Sequence, residues 1–303
     1  MYRLGIDLGG TNIAAAVVDE NYKIVGRGKV KTALPRPAEE ICDAMAEAAK
    51  AAIADAGLKI EDIAAMGVGT PGAVDPSKGI VTFANNLGFM NTPICAMMKE
   101  RLGVDFYLEN DANAAAYGEF LAGAGKGTKN FVAVTLGTGV GGGIVIDGKL
   151  FSGAHYAGGE LGHTVINVDG EQCSCGRKGC WEQYASVSAL MDMAKKAATA
   201  SPDSLLGRLY TEKSTMSGEV FFEAYEQKCP KASAVFDEYI TWLAEGINTL
   251  ISIFAPDMIV ISGGISAVGT VLTKPLSDKV SAQIPIKTSI LQNDAGIIGA
   301  ASL

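Results

Sequence analysis

The 303-residue chain predicts an α/β fold of two duplicated domains facing each other across a cleft. Two observations carry this. Strand-like segments ending in glycine turns alternate with helical segments along the chain. The opening grammar, LGIDLGGTN followed by IAAAVVDENYKIVGRG, returns as VAVTLGTGV followed by GGGIVIDGKLFSG: strand, Gly/Thr turn, strand, hairpin, strand. Composition agrees, with 48% hydrophobic and 19% charged residues and enough length to bury a large core without disulfides.

Taken in order, residues 3–8 read as a strand ending at Gly9-Gly10-Thr11. A second strand covers 13–19, and a third covers 23–30 after a turn at Glu20-Asn21-Tyr22. Ile41, Met45, Ala48 and Ile53 give residues 38–57 a helical period, with Gly57 as its stop. Residues 64–75 read as a strand leading into a Gly-Pro turn. Residues 104–108 form a strand running into Glu109-Asn110-Asp111, and ANAAAYGEFLAG then reads as a helix. The second half opens with strands at 131–139, 140–147 and 149–153. Amphipathic spacing marks helices at 181–198 and 235–254, the latter stopped by Pro256; 257–264 is a buried strand and 294–303 a short helix. The expected domains are 1–118 and 119–303, with a hinge near Gly118 to Gly127 and the last helix packing back on the first domain.

The formal charge is −8, from 25 basic and 33 acidic residues, and no basic run occurs. Nucleic acid and anionic membranes are therefore poor electrostatic partners. The start lacks a charged segment before an apolar one, so no secretory signal is expected. No apolar stretch approaches the ~18 residues of a membrane span. Three of the six cysteines cluster, which in a cytoplasmic enzyme points to metal more than to disulfides; Cys42 reads as a small buried apolar residue.

Gly9, Gly10, Thr11 and Asn12 form a turn whose backbone can approach a phosphate closely, with Asp7 placed to hold Mg²⁺ through water. Alone, such a turn is as often a tight hairpin. Its echo at Gly137, Thr138 and Gly139 favours two turns clamping one triphosphate, and Gly263-Gly264 ends a strand where adenosine can lie against backbone. Asp111, with Asn110, sits where a helix N-cap belongs. A carboxylate there stays oriented and can take a proton from an attacking hydroxyl. His163, Cys173, Cys175 and Cys180 supply one nitrogen and three thiolates, the set of a closed tetrahedral Zn²⁺ site. Glu160 and Glu182 flank that box, and Asn86 lies on a loop. Glu182 also has a plain reading as a solvated first-turn residue, and Asn86 as an ordinary loop residue. His155 reads as a loop histidine.

With these residues assembled, the sequence resembles sugar kinases of the ROK family, within the actin/hexokinase-like superfamily. The matching segments run the length of the chain: DLGGTN (7–12), GTPGAVD (69–75), NNLGF (85–89), LENDANAAAYGE (108–119), LGTGVGGG (136–143), GGELGH (158–163), CSCGRKGCWEQYAS (173–186) and ISGGI (261–265). The resemblance implies actin-like ATPase (ribonuclease H-like) domains and ATP with Mg²⁺ as phosphoryl donor. It implies Asp111 as catalytic base and Asn86, Asn110, Asp111, Glu160, His163 and Glu182 as ligands of sugar hydroxyls. It also implies structural Zn²⁺ on His163, Cys173, Cys175 and Cys180. The common family form ends the first loop in Lys; Asn12 stands there instead. The forms at 85–89 and 108–119 look most like bacterial glucokinases, so glucose is the expected acceptor, ahead of fructose, allose, N-acetylglucosamine and N-acetylmannosamine. Sugar-responsive repressors of the family carry a DNA-binding domain before the first loop, where this sequence has six residues before Asp7. A non-catalytic sugar sensor would be expected to lose Asp111, which is present. A cytoplasmic homo-oligomer, dimer or tetramer, completes the expectation.

Overall fold

The computed structural model describes residues 1–303. The first half runs β1 (Tyr2–Leu8), β2 (Asn12–Val18), β3 (Ile24–Lys31), α1 (Ala38–Asp55), β4 (Ile63–Thr70), β5 (Ala73–Asp75), β6 (Ile80–Ala84), β7 (Phe89–Thr92), α2 (Ile94–Leu102), β8 (Phe106–Asn110) and α3 (Asp111–Ala122). The second half runs β9 (Phe131–Leu136), β10 (Val140–Ile146), β11 (Lys149–Leu150), α4 (Glu182–Ala185), α5 (Val187–Ala200), α6 (Leu205–Lys213), α7 (Gly218–Glu226), α8 (Pro230–Phe254), β12 (Met258–Ser262), α9 (Thr270–Lys279), β13 (Ile286–Thr288) and α10 (Ala295–Ala301).

Two five-stranded sheets share one plan. The first has the order β3-β2-β1-β4-β8 and the second β11-β10-β9-β12-β13. In the first, β1 pairs antiparallel with β2, while β1–β4 and β4–β8 are parallel. In the second, β10–β11 is antiparallel and β12–β13 parallel. The matching strand orders are the structural form of the internal repeat.

Helix α1 covers one face of the first sheet because its apolar residues recur at helical spacing. Ile41, Met45, Ala48 and Ala52 are all fully buried, each large side chain contributing about 1.5–3 kcal/mol on burial. Gly26 and Gly28 of β3 let the backbone of α1 come close at Ala52 and Ala48. The other face receives α10. A Cβ on Gly5 or Gly67 would collide with the carbonyls of Ile297 and Ala300, and Gly118 and Gly299 bring α3 and α10 into similar contact. The short last helix is thus held by backbone proximity as much as by apolar area.

Where the sequence suggests one boundary after residue 118, contacts group the chain differently. One compact unit holds Met1–Ala133, Gly142–Gly159 and Ser289–Leu303; the other holds Val134–Gly141 and Glu160–Thr288. The packing of α10 on α3, β1 and β4 is what draws the C-terminus into the first unit.

Local structure departs from the sequence reading most plainly at 181–198. The expected helix 181–198 is two helices, because Ser186 adopts extended backbone and its side chain accepts from Ala189 N, starting α5 afresh. The expected strand and Gly-Pro turn within 64–75 are present as β4 and the turn at Pro71-Gly72, after which β5 joins β6 and β7 in a small antiparallel sheet. No helix is long and apolar enough to cross a membrane.

Candidate active site

Parallel pairing lines up three strand ends in the first unit. In register, Asp7 of β1 faces Gly69 of β4, and Thr70 of β4 faces Asn110 of β8. Carboxyl ends of parallel strands are where open α/β sheets bind ligands. Asp7 and Asp111 both lie at this edge. Burial pushes the Asp7 carboxyl up to about 6, and the nearby Asp111 charge adds to the rise. Burial likewise raises Asp111 above the ordinary carboxylate range, opposed by hydrogen bonds from the Ala112 N–H and from Asn110. Two desolvated carboxyls kept close are costly to ionise together, and such sites are candidates for acid–base work or cation binding.

Helix α3 starts here for a local reason. Asn110 caps it, its Oδ1 accepting from Ala112 N at 2.9 Å and Asn113 N at 3.3 Å. Its Nδ2 donates to Gly72 O at 3.1 Å. Asp111 is therefore the first helical residue and not the cap itself; its Oδ1 accepts from Ala112 N at 2.8 Å.

The first glycine turn adjoins this edge. Gly9 N donates to Asn12 O at 3.0 Å, and Thr32 Oγ1 anchors Gly9 O at 2.6 Å. Gly10 and Thr11 are exposed. The Asn86 side-chain amide lies beside Gly10. Asn12 Oδ1 is buried with no donor, so this turn holds an acceptor that a ligand hydroxyl or hydrated cation can satisfy. With the Asp7 carboxylate, the donors at this edge are oxygens, which suits Mg²⁺.

The second unit carries the echo. Gly137 N donates to Gly139 O at 3.0 Å, and Gly137 O accepts from Val187 N at 2.9 Å. A side chain on Gly137 or Gly264 would meet nothing, so both turns stand open to a ligand. Gly263, at φ 88°, is pressed on the Leu136 backbone, a place and conformation only glycine fills readily. Thr135 and Ser262 hydroxyls join at 2.8 Å just before the two turns. Glu182 belongs to this cluster: its Oε2 accepts from Val140 N at 3.0 Å and contacts Gly139.

The four expected metal ligands converge. Their ligand atoms on His163, Cys173, Cys175 and Cys180 all lie within 4.8 Å of one another. His163 Nδ1 is 3.6 Å from Cys173 Sγ, and Cys175 Sγ is 3.5 Å from Cys180 Sγ. A tetrahedral zinc with Zn–S near 2.3 Å and Zn–N near 2.0 Å sets S···S and S···N edges of about 3.8 and 3.5 Å, so the set fits that ion. None of these cysteines is in a disulfide. Hydrogen bonds from the Arg177 N–H and guanidinium bring the Cys175 thiol down to about 6, whereas burial pushes Cys180 up to about 12. Arg177 also donates to His163 O at 2.7 Å, tying the two ends of the box. Trp181, fully buried, anchors the box from behind: its Nε1 donates to Trp242 O at 3.0 Å and its N to Thr164 O at 2.8 Å. Glu160 is exposed one turn before His163, whose N–H donates to the Glu160 carbonyl at 3.1 Å. His155 is exposed on its loop.

By unit, Asp7, Gly9, Gly10, Thr11, Asn12, Asn86, Asn110 and Asp111 fall in the first, and Gly137, Thr138, Gly139, Gly263, Gly264, Glu160, His163, Glu182 and the three thiols in the second. Glu109, Asn113 and Ser152 escape the sequence reading. Glu109 is 6% exposed and accepts hydrogen bonds from all three of its polar neighbours. Its place directly before Asn110-Asp111 is the one sequence signal that marks it.

The ROK family model matches residues 3–303. A glucokinase from Streptomyces coelicolor is 37% identical over 99% of this chain and 96% of its own length. A glucokinase from Thermotoga maritima is 35% identical, again over 99% of this chain and 96% of its own. A crystal structure of a ROK family glucokinase from Streptomyces griseus, in complex with glucose and AMPPNP, aligns over 100% of this chain and 98% of that one, with a TM-score of 0.81 and 36% identity. With a family match over nearly its full length and near-full-length relatives above 30% identity, this chain belongs to the ROK family.

Proposed function

We propose that the chain is an ATP-dependent hexokinase that converts D-glucose to glucose 6-phosphate, with Asp111 as general base. The observation that carries this reading is the pair of desolvated carboxyls, Asp7 and Asp111, at the carboxyl ends of β1 and β8 beside the first glycine turn. The near-full-length likeness to glucokinases supports the choice of reaction and sugar.

The chemistry asked of the protein is small, because phosphoryl transfer depends mainly on position and charge. Asp111, held by the first turn of α3, takes the proton of the sugar 6-hydroxyl as that oxygen bonds to the γ-phosphorus. The bond from γ-phosphorus to the bridging oxygen breaks, and ADP leaves with the electron pair. Burial favours this step, since a carboxylate with raised proton affinity is a better base. Asn86, Asn110, Glu160, Glu182 and the second ring nitrogen of His163 are the proposed ligands of sugar hydroxyls. Gly9 to Asn12, Gly137 to Gly139, and Gly263-Gly264 supply backbone close to phosphate and adenosine. Mg²⁺ bound near Asp7 would neutralise charge on the phosphates. Zn²⁺ on His163, Cys173, Cys175 and Cys180 would have no open coordination position, so its role is to fix the loop that bears Glu160 and His163. Free clustered thiols suit a reducing, cytoplasmic setting and a metal-loaded enzyme. A homo-oligomer is the proposed assembly.

A coupled assay of ADP release across a panel of hexoses tests the reading. Glucose should give the highest kcat/KM. A clear preference for N-acetylmannosamine, N-acetylglucosamine, fructose or allose would replace glucose as acceptor, and no ADP release with any sugar would remove the kinase assignment.

A further inference from the structure

We propose that Glu109 is a positioning residue that ties the acceptor end of the site to the loop beginning at Ser152; the inference rests on the reading of Asp111 as base. Glu109 is buried at 6% exposure, and a polar side chain in such a place needs hydrogen-bond partners. Its Oε1 accepts from Asn110 N at 2.9 Å and from Asn113 Nδ2 at 3.0 Å. Its Oε2 accepts from Ser152 Oγ at 3.1 Å. One oxygen thus grips the residues on either side of Asp111, and the other grips a different segment.

Both segments lead to proposed functional groups. Asn110 is fixed three ways, through its backbone N–H on Glu109, its Oδ1 on the start of α3 and its Nδ2 on Gly72 O. Glu109 supplies one of these three restraints, the one on the backbone N–H that leads into Asp111. Ser152 O accepts from Gly158 N at 2.9 Å, closing the loop 152–158 just before Glu160. Asn113, 4% exposed, is enclosed by Gly143 and Gly159. Asp111 thereby sits between two residues that Glu109 holds. A base displaced by about 1 Å can lose on the order of 10²-fold in rate, so such a clamp is worth more to turnover than to folding.

The test compares Glu109→Ala with Glu109→Gln in the full chain, by kinetics and by amide hydrogen exchange. A glutamine can keep the geometry, with its oxygen toward Asn110 N and Asn113 and its N–H₂ toward the Ser152 hydroxyl, which then accepts. Glu109→Ala should lower kcat by about tenfold or more and raise the glucose KM, with the ATP KM within about twofold. Glu109→Gln should return both to within about threefold of the parent chain. Exchange in Glu109→Ala should rise together at 110–116 and 152–159 and stay at the parent level in β1–β3. Parent-like kinetics in the alanine variant, equal damage in the glutamine variant, or unchanged exchange at 152–159 would each overturn the proposal. If the alanine variant does not fold, Glu109→Asp replaces it: one methylene shorter, it cannot span both contacts, and parent-like kinetics there would likewise overturn the role. Absence of glucose phosphorylation by the parent chain would instead strike the functional reading, while the exchange measurement would still decide the coupling.

Discussion

At the carboxyl edge of the first unit burial raises both carboxyls, whereas the thiol loop of the second splits its cysteines, Cys175 down and Cys180 up. At the carboxyl edge, Asp7 is pushed up to about 6 by burial with a like charge alongside. In the thiol loop, hydrogen bonds from Arg177 draw Cys175 down to about 6. The first region holds groups where their ionised forms are unfavourable; the second converges three thiols and a ring nitrogen within 4.8 Å, with Arg177 donating to Cys175. A region that resists its own charges is arranged for a partner that brings compensating charge during turnover. A region that gathers three thiols and a ring nitrogen offers the donor set of the proposed zinc site.

The largest expected effect that would break this comparison is on turnover. Asp111→Asn should cut kcat by at least ~10²-fold, within the ~10²–10⁴-fold range of general-base catalysis; steady-state kinetics with saturating glucose and ATP measures it. Second in size is the metal loop. Purified without chelator, the chain should carry about one zinc by elemental analysis. Cys180→Ser should lose that zinc, lower the melting temperature by about 5 °C or more and raise the glucose KM about tenfold, with kcat within about threefold. A Cys180→Ser variant that keeps its KM but loses kcat would reverse the roles assigned to the two regions.

The smallest effect concerns stability at the carboxyl edge. Asp7 binds its proton more tightly folded than unfolded, so the native state keeps the extra proton as pH rises from 3.8 to about 6, and ionisation costs stability above that window. Asp7→Asn should therefore raise stability at pH 7, by at most about 3 kcal/mol, and the gain should vanish below pH 4. The same variant should lose activity. In the parent chain, kcat/KM should fall as pH drops through about 6, where Asp7 protonates. Thermal melts of parent and variant at pH 4 and pH 7 check the stability claim.

Much of the fold is legible because long periodic segments leave little choice. Strands β1 to β3, helix α1 and helix α8 follow apolar spacing, and the repeat of the glycine turns anticipates two sheets of matching order. The small sheet β5-β6-β7 escapes because its strands are three to five residues long and two cross-strand partners, Phe83 and Met90, are exposed rather than buried. Helix α9 contains Pro275, and α6 and α7 have nine residues each, so each offers only a short run to read. The thiol box was readable from ligand type and spacing alone. Glu109 was not: strand alternation puts it on the side of Tyr107, which is 51% exposed, yet Glu109 is 6% exposed because Ser152 and Asn113 close over it. Those two partners are distant in sequence or one helical turn on, and no local pattern joins them.

The account stands most directly on whether Asp111 acts on the reacting bond or only on sugar binding. Calorimetric titration of glucose into Asp111→Asn separates the two. The account predicts a dissociation constant within about threefold of the parent chain, beside the ~10²-fold or greater loss of kcat. A dissociation constant weakened in parallel with kcat, or turnover close to that of the parent, would contradict it.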